Sequence, residues 1–300
     1  MKTVHLNKNE RIIIFTSNMT FVHIYEFLKS RSEIKGVVIP ENRLGSEKIM
    51  NVQQFCKNQG ISIFVHPTND EEMRALCNKL KKENCTLAIS WSYSQIIRKP
   101  LLDLFPLGIW NMHGGKIPEY RGANVLQWAI VNGEKELGVT WHLMDEKIDH
   151  GLLLKEGKVT INDDDNALTV RDKTSKLGLE LFKELWESAQ NDGVHPYEVD
   201  MQKGHYWKPR NIYDGIISNS MCEQDIRNLL RAQCPPWPEP IYCDKESNVY
   251  RINGIAKEPD QENTILFEND KCKLWLYAVL EKDEDVIEKV KQKMKQIGDE

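Results

Sequence analysis

Residues 108–115 read Gly-Ile-Trp-Asn-Met-His-Gly-Gly. The apolar run predicts a strand over 108–113, and the two glycines end it with permissive backbone. Side chains alternate across a strand, so Asn111 and His113 share one side while Trp110 faces the packed side. An amide and an imidazole held side by side need a sheet beneath them, and the chain ahead supplies one. Residues 11–16 (RIIIFT), 35–40 (KGVVIP), 61–66 and 87–91 are short runs of the kind that form buried strands. Between them, 21–31 has helical spacing, with Phe21, Ile24, Tyr25, Phe27 and Leu28 on one face. Residues 49–59 read as a helix stopped at Gly60, and 70–84 as a charged, solvated helix.

This alternation predicts an α/β fold: a doubly wound, Rossmann-like, mostly parallel sheet that takes its ligands at the carboxyl ends of its strands. The first strand runs into Ser17-Asn18-Met19-Thr20, with no Gly-x-Gly-x-x-Gly and no Walker motif, so a dinucleotide has no support. Farther on, 124–131 is a short apolar helix closed by Asn132-Gly133. Residues 138–144 alternate, with Val139, Trp141 and Leu143 on one face and Thr140, His142 and Met144 on the other. A polar loop fills 145–151, and 168–190 is a long amphipathic helix. The character changes near residue 200. Pro235-Pro236-Trp237-Pro238 breaks a helix at 222–233, and strand-like pieces follow at 241–243, 249–252, 265–267 and 273–278. The expected organisation is a catalytic domain over 1–200 and a smaller β-rich domain over 201–300, with a charged tail from Glu281 that is helical or frayed.

Composition narrows the class. Apolar residues make up 40% of the 300 and charged residues 28%, an ordinary globular mixture. The net charge of −5 gives no support to a nucleic-acid partner held by phosphate neutralisation. The seven cysteines are odd in number and contain no Cys-x-x-Cys pair, which argues against a disulfide framework or a zinc knuckle. No apolar run reaches membrane-spanning length, and 12–15 is too short for a signal core. The expectation is a soluble, cytoplasmic protein with no nucleic-acid partner, no membrane partner and no metal.

The chemistry concentrates between Trp110 and Gly151. After Asn111 and His113 come Pro118-Glu119-Tyr120-Arg121-Gly122, and the stretch closes on Asp149-His150-Gly151. An imidazole base, a carboxylate to orient it and an amide donor for an oxyanion are the parts of acyl transfer. His142, Asp145, Asp149 and His150 raise the question of a metal, but their spacing crosses a strand into a loop and matches no zinc pattern. Arg121 reads as a tie for its loop, and Trp128, Trp141 and Trp186 read as core.

Asn111-x-His113, Pro118-x-Tyr120-Arg121-Gly122 and Asp149-x-Gly151 together resemble the catalytic signature of the 10-formyltetrahydrofolate-dependent formyltransferases, over roughly residues 10–190. A weaker resemblance runs through 212–238, in the order Asp-Gly, Ile-Arg, Pro-x-x-Pro. Within the family, His113-Gly114-Gly115 with Pro118-Glu119-Tyr120 looks most like the sugar N-formyltransferases, which act on nucleotide-linked amino sugars. Methionyl-tRNA formyltransferases usually carry Pro-Ser after the histidine and a basic, glycine-rich loop after the second strand. Here Pro40-Glu41-Asn42-Arg43-Leu44-Gly45-Ser46-Glu47 is short and near neutral.

The resemblance implies roles. His113 is the base, Asp149 orients it and Asn111 donates to the oxyanion. The co-substrate is 10-formyltetrahydrofolate, its pterin held by Trp91, Gln95, Ile96 and Ile97 and by the loop Asp145, Glu146, Lys147, Ile148 and Asp149. Ile96 and Ile97 are expected to sandwich the ring. The nucleotide-linked (dTDP- or GDP-type) amino-dideoxy sugar, a building block for a surface glycan such as the O-antigen of lipopolysaccharide, is expected at Pro118, Tyr120, Arg121, Gly122, Asn124, Trp207 and Arg210. A homodimer is expected. The alternatives are a methionyl-tRNA formyltransferase, a formyltetrahydrofolate hydrolase and a folate-binding protein with a disused site.

Overall fold

The run Arg11–Thr16 forms β1, whose inner residues are buried on both faces: Ile12 and Ile14 pack into one apolar cluster, Ile13 and Phe15 into another. The computed structural model describes residues 3–260 and 262–297. After β1 come α1 (Val22–Leu28), β2 (Glu33–Pro40), α2 (Glu47–Gln59), β3 (Ile63–His66), α3 (Asp70–Lys82), β4 (Leu87–Trp91), a one-turn α4 (Lys99–Leu102) and β5 (Ile109–His113). A two-residue β6 (Arg121–Gly122) and α5 (Val125–Val131) precede β7 (Glu136–Leu143), β8 (Leu153–Thr160) and α6 (Ala167–Asn191). The chain continues through β9 (Tyr206–Trp207), α7 (Glu223–Ala232), β10 (Ile241–Cys243), β11 (Val249–Ala256), β12 (Thr264–Glu268), β13 (Lys273–Leu280) and α8 (Glu284–Ile297).

Seven strands form one sheet in the order β3-β2-β1-β4-β5-β7-β8. β1 pairs in parallel with both β2 and β4, and β4 with β5, whereas β7 runs antiparallel to β5. The strand order reverses between β1 and β4, the kind of point at which open α/β sheets bind ligands. There the two carboxyl ends are tied together: Ser17 and Ser94 hydroxyls lie 2.9 Å apart, and the Ser94 backbone N–H donates to Ser17 Oγ at 2.9 Å. One face of the sheet packs Trp110, Trp141, Phe182 and Trp186 with α1, α2 and α6; the other packs Ile109 and Ile97 with α3 and Phe105. Trp91, Trp110, Trp141 and Trp186 are fully buried, so truncating any one costs about 3–5 kcal/mol.

The chain divides into two compact units that interleave in sequence rather than parting at a single point near residue 200. The first comprises the chain up to Arg121, Gly138–Val159 and Lys173–Tyr206; the second comprises Gly122–Leu137, Thr160–Asp172 and the chain from Trp207. Within the second, β10, β11, β13 and β12 form an antiparallel sheet, with α7 burying Ile226 and Leu229 against Phe267 and Leu276. α8 is ordered: Val290 and Met294 pack on Ile216, Ile241 and Val249. No helix among the described residues is long and apolar enough to cross a membrane.

Candidate active site

Pairing of β5 with β7 places Asn111 opposite His142 and His113 opposite Thr140. Opposed residues share a face, so the amide and both imidazoles stand on one side of the sheet. His142 is 1% exposed. Its Nδ1 lies 3.2 Å from the Leu143 carbonyl, which only accepts, so Nδ1 carries the hydrogen. Nε2 is then the acceptor for Asn111 Nδ2, 3.0 Å away, and that bond fixes which way the Asn111 amide faces. His113 is similarly buried. Its Nε2 lies 2.6 Å from the Tyr120 carbonyl and therefore donates to it. In the neutral ring this leaves the lone pair on Nδ1, which faces Asp149 Oδ2 at 3.5 Å; Asp149 Oδ1 is 3.7 Å from His142 Nε2. The sequence reading has Asp149 set the tautomer of His113. In the structure the Tyr120 carbonyl takes the hydrogen on Nε2, and Asp149 Oδ2 pairs with the other nitrogen at 3.5 Å.

Asp149 reaches this position on a tightly held loop. The base is closed by Leu143 N–H donating to Leu152 O at 2.8 Å and Met144 N–H to Ile109 O at 2.9 Å. A Cβ on Gly151 would lie 1.7 Å from the Leu143 carbonyl oxygen, so only glycine fits there. Asp149 itself sits in left-handed backbone at φ 47°. His150 Nδ1 and Asp145 Oδ2, 2.7 Å apart, clasp the two ends of the loop, and Asp145 Oδ1 accepts from Lys147 N–H at 2.8 Å. A cavity of about 730 Å³ opens at the loop's base, among Phe105, Leu107, Met144, Asp145, His150 and Gly151; none of Asn111, His113 and Asp149 lines it.

The Tyr120 carbonyl is fixed in turn. Tyr120 N–H donates to Lys116 O at 2.7 Å, Arg121 N–H to His205 O at 3.1 Å, and His205 N–H to Pro118 O at 3.2 Å. Gly204 comes so close to Pro118 that a Cβ would lie 1.9 Å from its oxygen. Thr140 Oγ1 donates to Gly115 O at 2.9 Å, tying the same segment to β7. Arg121 Nε is buried without a partner.

The residues expected to hold the pterin part into two kinds. Trp91 is fully buried, with its indole N–H donating to Thr20 Oγ1 at 3.1 Å, so it is core. Ile97 is buried as well, while Ile96 is 62% exposed, so the two isoleucines do not form one sandwich. Gln95 Nε2 donates to the carbonyls of His66 at 3.1 Å and Pro67 at 2.9 Å, and its Oε1 is buried without a partner. On the second loop Glu146, Lys147 and Ile148 are exposed. Each loop thus presents one uncovered isoleucine, Ile96 and Ile148.

In the second unit Asn124 adopts left-handed backbone, and its Oδ1 accepts from Arg210 N–H at 2.9 Å. The Trp128 and Trp207 rings lie 5.0 Å apart, Arg210 stacks over Trp128 at 4.4 Å, and Trp128 Nε1 donates to the Lys208 carbonyl at 2.9 Å. Arg210 Nη2 donates to the Asp214 carbonyl and, at 2.7 Å, to Gln233 Oε1. Burial holds the Arg210 guanidinium below its ordinary range. Gly122 has φ 100° at the start of this segment.

Residues 12–185 match the family described as formyl transferase. The chain belongs to that family. A methionyl-tRNA formyltransferase of Prochlorococcus marinus is 26% identical over 288 residues, 92% of this chain and 88% of that protein. One from Thermodesulfovibrio yellowstonii is 37% identical over 162 residues, 53% of this chain and 51% of that protein. The bifunctional polymyxin resistance protein ArnA of Wigglesworthia glossinidia brevipalpis is 26% identical over 231 residues, 76% of this chain but 35% of that protein. The formyl transferase chain thus spans well under two thirds of two of these three relatives. Its fold is that of solved sugar N-formyltransferases. One is WlaRD, a sugar 3N-formyl transferase solved with dTDP and 5-N-formyl-THF (TM-score 0.65, 19% identity, 91% of this chain and 99% of that one). Another is an N-formyltransferase from Helicobacter canadensis in complex with folinic acid and dTDP-3-aminofucose (TM-score 0.65, 19% identity, 90% and 100%).

His142 is the member of the cluster that sequence reasoning did not assign. Its alternation with Thr140 put it on the correct face, but contact with Asn111 needed the antiparallel register of β7, which periodicity does not reveal.

Proposed function

We propose that this formyl transferase moves the formyl group of 10-formyltetrahydrofolate to the amine of a nucleotide-linked amino-dideoxy sugar. The observation that carries the chemistry is the cluster around β5 and β7: a fixed amide donor, an imidazole whose Nε2 is held by the Tyr120 carbonyl, and a carboxylate 3.5 Å from its Nδ1. The folate supplies an activated formyl carbon. The exposed Ile96 and Ile148 offer apolar contact to a flat ring, and backbone groups of 95–97 and 145–149 are available for its polar edge. Trp91 and Ile97 support this pocket from the core.

The acceptor amine forms the new C–N bond at the formyl carbon, and the bond from that carbon to the folate nitrogen breaks. His113 Nδ1 takes the proton released by the amine and returns it to the departing nitrogen, so one proton is carried and none is consumed. Asp149 stabilises the imidazolium while it exists, and the Tyr120 carbonyl keeps the ring turned so that Nδ1 is the basic atom. The second N–H of Asn111 Nδ2 is assigned to the oxyanion, the first being held by His142.

A sugar acceptor is supported by the likeness of fold, which extends through 84–91% of this chain in a sugar 3N-formyl transferase, a sugar N-formyltransferase and an N-formyltransferase solved with dTDP-3-aminofucose, and by the short, near-neutral segment after β2. Pro118, Tyr120 and Arg121 are proposed to face the acceptor. Arg210 is assigned to holding its own segment, because its Nη2 is engaged by the Asp214 carbonyl and Gln233 and its guanidinium stacks on Trp128. One observation favours a second reading, a methionyl-tRNA formyltransferase: the sequence match to such an enzyme runs through 92% of the chain. The test is incubation with 10-formyltetrahydrofolate and either a panel of nucleotide-linked 3- and 4-amino sugars or initiator methionyl-tRNA, with formylated product read by mass spectrometry. Product from a sugar alone supports the proposal; product from tRNA alone replaces it.

A further inference from the structure

The loop after β4 is pinned from two sides by groups that the transfer chemistry does not use. Ser17 and Ser94 hold it to β1. The other anchor comes from His66, the last residue of β3, which is 1% exposed. His66 Nδ1 lies 2.6 Å from the Tyr93 hydroxyl, and the two rings stack with centroids 5.8 Å apart and planes 4° apart. Tyr93 also packs edge-on against Phe15 at 5.3 Å. Burial lowers the His66 imidazole to about 4 and raises the Tyr93 phenol, so both are neutral at ordinary pH. The phenol carries the more acidic hydrogen and donates it to Nδ1. Two residues on, Gln95 Nε2 grips the carbonyls of His66 and Pro67.

Three hydrogen bonds therefore run from the end of β3 to residues 93–95, immediately before Ile96 and Ile97. A core that needed only packing has no use for a buried imidazole, since such a group must be kept hydrogen-bonded. We infer that His66, through Tyr93 and Gln95, is a positioning residue for the folate-binding loop, setting where Ile96 and the backbone of 95–97 meet the pterin. This rests on the reading of 95–97 as folate-binding.

The experiment is direct titration of the purified protein with 5-formyltetrahydrofolate, which needs no acceptor and no turnover, for wild type, His66→Phe, Tyr93→Phe and the double variant. Each single change removes one partner of the same bond, so each is expected to weaken folate by about tenfold, with the double variant no weaker than the singles. At saturating folate, kcat is expected to hold. Folate affinity within about twofold of wild type in Tyr93→Phe, with a lowered Tm, overturns the inference and leaves the bond purely structural. Tyr93→Phe decides the matter if His66→Phe fails to fold, because it keeps the ring against Phe15. Wild-type protein that does not bind folate overturns the reading of the loop and this inference with it, an outcome distinct from normal binding that the variants leave unchanged.

Discussion

Two polar clusters of this formyl transferase contrast in what their ionisable groups face. In the second unit, Arg210 is stacked on Trp128 and engaged by Asp214 and Gln233, while Trp128 is engaged by Trp207 and the Lys208 carbonyl. In the first unit, His142 is held by the Leu143 carbonyl and Asn111, His113 Nε2 by the Tyr120 carbonyl, and His113 Nδ1 pairs with Asp149 at 3.5 Å. The Arg210 cluster ties its own segment of chain together, with Nη1 buried and unpaired. The His113 cluster sets a carboxylate beside an imidazole whose orientation the Tyr120 carbonyl fixes.

The largest expected effect breaks the His113 cluster. His113→Ala should lower kcat by about 10³-fold or more, and Asn111→Ala by roughly 10²–10³-fold, with circular dichroism unchanged. A fall of less than about tenfold in both would remove the cluster from the chemistry. Gly151→Ala tests the loop that carries Asp149. The new Cβ meets the Leu143 carbonyl and must displace the loop, so kcat/KM should fall by about 10²-fold. Unchanged kinetics would show that Asp149 needs no such precision.

A smaller effect is read in pH. The folded His66 value is depressed to about 4, below the unfolded value, so the unfolded chain binds the extra proton first as pH falls. The associated stability is present above about pH 6.5 and is lost as pH drops towards 4, amounting to about 1–2 kcal/mol at pH 5. Urea unfolding at pH 7 and pH 5 should show this loss, and His66→Phe should lessen it. The smallest effect sharpens the Arg210 cluster. Arg210→Met should reduce stability by about 1–2 kcal/mol, with KM for the sugar nucleotide little changed. A tenfold rise in that KM at constant Tm would make Arg210 a ligand of the acceptor instead.

The parallel part of the fold was legible because its strands are short apolar runs between helices with a clear 3.6-residue period, and β1, β4 and α3 show this plainly. β8 extends to Thr160 although only its first residues read as strand, because from Lys155 on it alternates exposed and half-buried positions and its polar residues masked it. The interleaving of the two units was not legible, since α5 belongs to the second unit only through tertiary packing. Asn111, His113 and Asp149 could be proposed from motif order, and the shared face of the first two follows from strand alternation. The hydrogen on His113 Nε2 could not be read, because it depends on a backbone carbonyl, that of Tyr120, which has no sequence signature. The partition of Ile96 and Ile97 was hidden for a related reason: two adjacent isoleucines look alike until one of them joins the core.

The most direct test of the account is a competition in one vessel, in which 10-formyltetrahydrofolate is offered with a panel of nucleotide-linked amino sugars and with initiator methionyl-tRNA, using wild type and His113→Ala. The account predicts formylated sugar from wild type, none above background from His113→Ala, and unformylated tRNA. Formylated tRNA with untouched sugars, or sugar formylation that survives in His113→Ala, would contradict it.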